Sequence, residues 1–402
     1  MASVGGSTEK SGATPIGPIQ RNIEEVALAL VDRAREVELN RRIPDDIFEM
    51  VRATGVYRIL QPAEFGGHQG NPVDAFDAIF ELARSCPSTA WVTAVCVLHQ
   101  WIMGCFSMAA QEDVWGENDQ VLLCGSYAPQ GQTARAEGGV RLSGVWEFVS
   151  GCDNTNWALL GVMVPPERED ERPVPHFALV PKADYRIEDM WHAAGLAGSG
   201  SNNVHLDDVF VPEHRLVSLL AMTEGTSPGS KHPLYGVPLL SLTPYAISTV
   251  GLGAAQGGYD AYVDQVMVRK ARGGVLEGGK SLAGIPAVQS RVGEAAGYID
   301  AGRLIIKTDL EENLAIVTSG RKISVSRRIF CKRNEALATR MAVTAANAVY
   351  EGAGGAGLLA ENRVQRAWRD ANAVARHGGL NWDVQMSLYG SHILGLTPRI
   401  GY

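Results

Sequence analysis

Hydrophobic periodicity changes twice along this chain of 402 residues, and few architectures accommodate the resulting order. Near the start, Ile23, Val26, Leu30, Ala34 and Val37 recur at helical spacing. Pro44-Asp45-Asp46 predicts the opening of a second helix and Gly55 its close. Another helical stretch covers 73–85, and Ser88 is placed to cap the apolar run TAWVTAVCVLHQWIMGCF. Near residue 121 the texture changes to VLLCGSYAP, VRLSGVWEFVSG, WALLGVMV, HFALVP, YRIEDM and NNVHLDDVFVP, short segments separated by turn residues, which read as strands. A Gly/Pro/Ser linker at 225–238 precedes long helical runs at 244–272, 286–318, 322–350 and 361–377, with the short connections of a bundle. The expected class is mainly α with a central β domain: a flexible tail over 1–18, a helical domain over 19–118, a β domain over 119–220 and a helical bundle over 221–402.

Composition narrows the function. Apolar residues make up 46% and charged residues 20%, values of a globular chain. A net charge of −8 without like-charge blocks argues against nucleic acid as a partner. No apolar run reaches the ~18 residues of a membrane helix, and the first twenty residues lack a signal core. Cysteines at 86, 96, 105, 124, 152 and 331 form no Cys-x-x-Cys pair and no zinc spacing, so no metal is expected. They read as buried thiols in a reducing, cytoplasmic setting. G-x-S-x-G, the P-loop and H-E-x-x-H are absent.

Several residues stand out, each with an ordinary reading beside the functional one. GAGGAG at 352–357 matches G-x-G-x-x-G, but the helical AVTAANAVYE before it excludes a dinucleotide fold. Its glycines, Gly354 and Gly355 among them, either make a helix–helix turn or let backbone approach an anion or polar ring edge. Arg366, Asp370, Ala373 and His377 share a helix face, with Asp370 placed to hold Arg366 and His377 at the helix end, where it serves a ligand or the helix dipole. His99 in its apolar helix is a satisfied core residue or a base for a phenol or indole proton. Ser126 in CGSYAPQG and Ser150 in EFVSGCDNTNW are turn serines or ligand-facing hydroxyls at strand ends. WHAAGLAGSGSNN (191–203) is a strand connection or a polar ligand loop.

These segments, taken in order, resemble the oxygenase components of two-component flavin-dependent monooxygenases with the acyl-CoA dehydrogenase fold, in particular 4-hydroxyphenylacetate and secosteroid-phenol hydroxylases. The matching stretches are LQPAEFGG, STAWVTAVCVLHQW, SYAPQG, WEFVSGCDNTNW, GLAGSGSNNV-x-LDDVFVP, QRAWRD and YGSHILGL, spanning roughly 20–397. The resemblance implies an N-terminal helical domain, a β domain and a four-helix bundle, usually in a homotetramer. It also implies reduced FAD or FMN delivered by diffusion from a separate NAD(P)H reductase, with O2 as co-substrate.

The resemblance assigns residues as well. Ser126, with Tyr127 and Ala128, falls in the segment lining the flavin pyrimidine and the substrate pocket. Ser150 falls near flavin N5, with Phe148 on the same strand. Gly198, Ser199 and Ser201 fall on the flavin phosphate side, and Arg272 resembles a phosphate- or ribose-binding arginine from a neighbouring subunit. Gly354 and Gly355 join the cofactor set, His377 faces flavin C4a, and His99 lies near the substrate. The implied reaction proceeds through a C4a-hydroperoxide whose distal oxygen an electron-rich phenol or indole attacks. His99 would take the ring proton, where a pKa near neutrality is useful, His377 would assist protonation of the oxygen adduct, Ser150 would bond N5–H, and Ser126 would fix the substrate edge. Where dehydrogenases of one subgroup carry a catalytic glutamate after Arg-Asp, Arg369-Asp370 is followed by Ala-Asn-Ala-Val-Ala-Arg-His, with no carboxylate. That favours oxygenation. An acyl-CoA dehydrogenase-like flavoenzyme, an N- or S-oxygenase on the same fold, and a non-catalytic flavin-binding subunit are the alternatives.

Overall fold

A computed structural model describes residues 17–168, 170, 172–271, 279 and 281–396. The N-terminal part is helical: α1 (Gly17–Asn40), α2 (Asp45–Ala53), α3 (Pro72–Ser85), α4 (Pro87–Gly104) and α5 (Met108–Trp115). α1 buries Ile23, Val26, Leu30, Ala34 and Val37, the stripe its spacing predicts. α2 carries Asp45 and Asp46 in its first turn, and Gly55 follows it in the left-handed region at φ 86°. The cap of α4 differs from expectation. Pro87, with no N–H to leave unsatisfied, takes the first helical position behind Cys86, and the Ser88 hydroxyl instead accepts from the Gly198 N–H at 3.2 Å.

The middle section folds as β1 (Leu123–Ser126), β2 (Gln132–Ala136), β3 (Gly139–Val149), β4 (Trp157–Val164), β5 (Val174–Pro181), β6 (Arg186–Glu188), β7 (Asn202–Pro212) and β8 (Leu216–Ser218). They form two four-stranded sheets, β1-β4-β5-β8 and β2-β3-β7-β6. Alternation along the strands separates two cores. Leu123, Leu159, Phe177 and Leu179 join the large helical core, whereas Cys124, Ala158, Leu160, Ala178 and Val180 pack in a smaller core with Trp146, Val149 and Val204 of the second sheet. One face of the first sheet is therefore the floor on which α4 rests.

The C-terminal part comprises α6 (Leu219–Glu224), α7 (Thr243–Val268), α8 (Pro286–Thr318), α9 (Val325–Ala353), α10 (Arg363–Val374) and α11 (Trp382–Ile393). The four expected runs are α7 to α10. α10 is short and stops before His377, and α11, which the sequence reading did not separate out, packs back on α9. All six cysteines are buried and unpaired. No helix among the described residues is long and apolar enough to cross a membrane.

Candidate functional site

Helix α4 carries the spine of the site. Every residue of Pro87–Gly104 is buried except Val95, which is partly open. Trp91 precedes Val95 by four residues and His99 follows it by four, so the three share one helical face. Trp91 and His99 stand about 12 Å apart along the axis at 1.5 Å per residue.

At the Trp91 end, the indole Nε1–H donates to Ser150 Oγ at 2.9 Å. Ser150 Oγ lies 2.7 Å from Ser201 Oγ, which lies 2.8 Å from Ser199 Oγ, and all three serines are buried. A bulge in β3 between Trp146 and Val149 sets this corner. It places Phe148 at φ 61°, turned out with 58% of its surface exposed and edge-on to Trp191 at 6.2 Å. A bulged strand holding a non-glycine residue in the left-handed region is a feature that collects beside binding sites. The 191–200 loop closes the corner. Leu196 also sits at positive φ, and its N–H donates to Asp370 Oδ1 at 2.6 Å. The Asp370 pKa is raised to about 6, chiefly by burial. The expected Arg366–Asp370 clasp is thus replaced by a carboxylate–backbone bond, and Arg369 reaches the Ala194 carbonyl at 2.6 Å and Glu38 at 2.5 Å.

His377 joins the same end. It is three residues past α10, and its Nδ1 accepts the Gly379 N–H at 3.3 Å, capping the short 3-10 turn Gly378–Leu380. The helix-dipole reading therefore falls away. Its ring meets the Trp91 ring edge-on at 5.9 Å. His377 is exposed at the surface, yet the protein packed around its ring pushes its pKa below the ordinary 6.5 by desolvation.

At the other end, His99 is 2% exposed and its Nδ1–H donates to the Leu123 carbonyl at 2.9 Å. Burial lowers its pKa to about 4, against the opposing pull of that carbonyl. The expectation of a near-neutral pKa is corrected: this imidazole stays neutral and presents the lone pair of Nε2. No described residue hydrogen-bonds Nε2. Tyr127 packs against His99 at 5.7 Å and against Phe177 at 5.0 Å, so its side chain is a wall of the His99 end. Gly125 is required here, since a Cβ would fall 2.9 Å from His99 Cε1.

The hydrogen bonds assign opposite tautomers to the two histidines. A carbonyl at Nδ1 makes His99 an acceptor at Nε2. A backbone N–H at Nδ1 makes neutral His377 a donor at Nε2. The face of α4 thus runs from a donor and a hydroxyl chain to an acceptor in an apolar setting.

Other expected residues fall elsewhere. Ser126 ends β1 half-buried, its hydroxyl without a hydrogen bond; alternation sets it with Cys124, on the face opposite His99. Ala128 is exposed. Gly354 and Gly355 are exposed in a 3-10 turn between α9 and α10, meeting no atom of the chain closely. They stand at the far end of α10 from His377, about 18 Å along its axis. The Asn362 side chain caps the N-terminus of α10 by accepting the Val364 N–H at 2.9 Å. Arg272 lies outside the described residues. Trp91 is the site residue that sequence reasoning left unassigned; its separation of eight from His99 was the available signal. A groove of about 270 Å³ lined by Phe76, Phe80, Leu252 and Arg303 shares none of these residues.

Residues 19–115 match the acyl-CoA dehydrogenase N-terminal domain family and residues 245–382 the acyl-CoA dehydrogenase C-terminal domain family. A resorcinol hydroxylase oxygenase component of Rhizobium sp., described as FADH2-dependent, is 42% identical over 92% of each chain. The crystal structure of 3-HSA hydroxylase from Rhodococcus sp. RHA1 superposes with a TM-score of 0.90 at 34% identity, covering 96% of this chain and 98% of that one. XiaF from Streptomyces sp., solved with FADH2 and glycerol, superposes with a TM-score of 0.86 at 26% identity, covering 96% and 97%. This chain belongs to the oxygenase components of flavin-dependent monooxygenases built on the acyl-CoA dehydrogenase fold.

Proposed function

We propose that the face of α4 holds reduced FAD or FMN at its Trp91 end and an electron-rich phenol or indole at its His99 end, and that the chain hydroxylates that ring. The observation that carries the reading is the pair of neutral histidines of opposite tautomer at the two ends of one helix face. The corner at Trp91 suits a flat heteroaromatic ring. It offers the exposed Phe148 ring, a buried hydroxyl with capacity to spare, and the turned backbone of Leu196 to Gly200.

When bound, reduced flavin supplies the two electrons with which dioxygen yields one ring hydroxyl and one water. The protein does the rest. Ser150 holds the polar edge of the flavin ring, and Phe148 covers a face. His377 donates from Nε2 beside Trp91, where a developing oxygen charge needs a hydrogen bond. His99 accepts the phenol O–H or indole N–H at Nε2, orienting the ring and drawing electron density into it. Complete proton transfer would leave a buried imidazolium, which the burial that lowers its pKa opposes. His99 is thus a hydrogen-bond acceptor first. Trp91, Val95, Tyr127 and Phe177 keep water out. Ser126, on the opposite strand face, is not placed to fix a substrate held beside His99. Gly354 and Gly355 serve a flavin only across a subunit boundary, consistent with a homotetramer whose exposed Leu358 and Leu359 become covered.

The test is to supply reduced FAD or FMN with a flavin reductase, a panel of phenols and indoles, and isotopically heavy dioxygen. One heavy oxygen atom should appear in a hydroxylated ring, and His99→Gln should lower the yield by about tenfold to a hundredfold. Flavin oxidation that never labels an aromatic product would sink the reading.

A further inference from the structure

Ser150 does not act alone, and the connectivity around it has a chemical consequence. The Trp91 indole N–H is a donor only, so it permanently occupies one lone pair of Ser150 Oγ. Ser150 retains one O–H and one lone pair. Its neighbour Ser201, at 2.7 Å, takes one of these and leaves the other unclaimed by the chain. Which one is left depends on the direction of the chain. Wired outward, Ser150 donates to Ser201 and Ser201 to Ser199, and Ser150 presents a lone pair. Wired inward, Ser199 donates to Ser201 and Ser201 to Ser150, and Ser150 presents its O–H. The 2.7 and 2.8 Å separations suit either direction, and rotating three hydroxyl protons interconverts them without moving a heavy atom.

We propose that Ser201 and Ser199 are positioning residues that let Ser150 match both redox forms of the flavin. The inference rests on the flavin reading above. Reduced flavin carries N5–H and needs an acceptor; oxidised flavin carries a bare N5 and needs a donor. The outward chain serves the first and the inward chain the second, so the ring is held through the change of oxidation state. Ser201 is the element that makes reversal possible. Without it, Ser150 still donates to a bare N5, but on accepting N5–H its own proton has no partner, and a buried unpaired donor is costly.

The experiment compares dissociation constants of the full-length wild-type protein and of Ser201→Ala for reduced and oxidised FAD and FMN, under anaerobic conditions. Ser201→Ala should weaken reduced flavin about tenfold more than oxidised flavin. Equivalently, the midpoint potential of bound flavin should fall by about 30 mV. Ser199→Ala should shift the ratio in the same direction, and it carries the test if Ser201→Ala fails to fold. Ser88→Ala, which frees the Gly198 N–H without touching the serine chain, should change both affinities alike. Equal loss of both forms in the Ser201 and Ser199 variants, or no change in either, would overturn the relay while leaving the flavin reading intact. A wild-type protein that binds neither form would remove the reading and the relay with it.

Discussion

Two sets of polar side chains in this protein differ in what hydrogen-bonding capacity they leave unused. In the bundle, Asp309 Oδ2 accepts from the Tyr245 hydroxyl at 2.5 Å and from Asn334 at 2.7 Å, while Oδ1 accepts from Arg327 at 2.9 Å. Arg327 also reaches Asn313, which holds the Ser241 carbonyl. That set is closed. On the α4 face, the Nε2 atoms of His99 and His377 have no described partner, and Ser150 has one valence to spare. Burial of a polar group alone does not mark a site, since Asp309 and His99 are both buried. Unused capacity gathered at one place, as at Nε2 of His99 and His377 and at Ser150, does.

The comparison can be broken most forcefully from the bundle side. Asp309→Ala strands a nearly buried guanidinium, a phenol and an amide, and should cost about 3–5 kcal/mol in urea unfolding. A small cost would mean that the bundle set is no more structural than the α4 set.

Acid sensitivity probes the α4 side. Well above pH 6.5 His99 is neutral whether the chain is folded or not, and contributes nothing to the pH dependence. As pH falls from 6.5 toward 4, the unfolded chain takes a proton that folded His99 refuses, and stability drops by up to about 3 kcal/mol. His377, also lowered, adds in the same direction. Asp370 acts the other way. With its pKa raised to about 6 from 3.8, the folded state takes the proton first, which favours folding as pH falls through that window. His99→Gln should flatten the loss between pH 6.5 and 4, measured by denaturant midpoints across that range. An unchanged slope would place the acid sensitivity elsewhere.

The smallest effect sharpens the comparison at its exception. Glu335 is fully buried in the bundle with neither carboxyl oxygen hydrogen-bonded, and burial drives its pKa well above the usual range despite Lys332 nearby. Burial thus favours its neutral form, which an amide resembles. Glu335→Gln should change the unfolding free energy by about 0.5 kcal/mol or less. A large loss would show that it carries a charge there, paired with Lys332.

Much of the architecture was legible in the residue order. The stripe of α1, the acidic first turn of α2, the strand-rich middle and the four long helical runs follow from local spacing. Boundaries were less legible. Ser88 read as a cap because serine is a good one, but Pro87 had the stronger local claim. His377 read as helical because its offsets from Asp370 and Ala373 fit, but α10 ends at Val374. Ser150, His99 and His377 were singled out from the residues themselves, and Ser199 and Ser201 through the family resemblance. Their grouping was not, since Trp91 and Ser150 are 59 residues apart in sequence.

The sequence by itself determined the helix–strand–helix order, the strand alternation, and the types of side chain available, because these depend on spacing and intrinsic chemistry. Tertiary structure decided the protonation and direction of each group. His99 became an acceptor because the Leu123 carbonyl claimed its Nδ1–H, and His377 a donor because Gly379 claimed its lone pair. Ser126 and His99 were separated by the two faces of β1. Hydrogen bonds across distant elements and the desolvation of an imidazole exist only once the chain has closed around them, so no local pattern in the sequence can carry them.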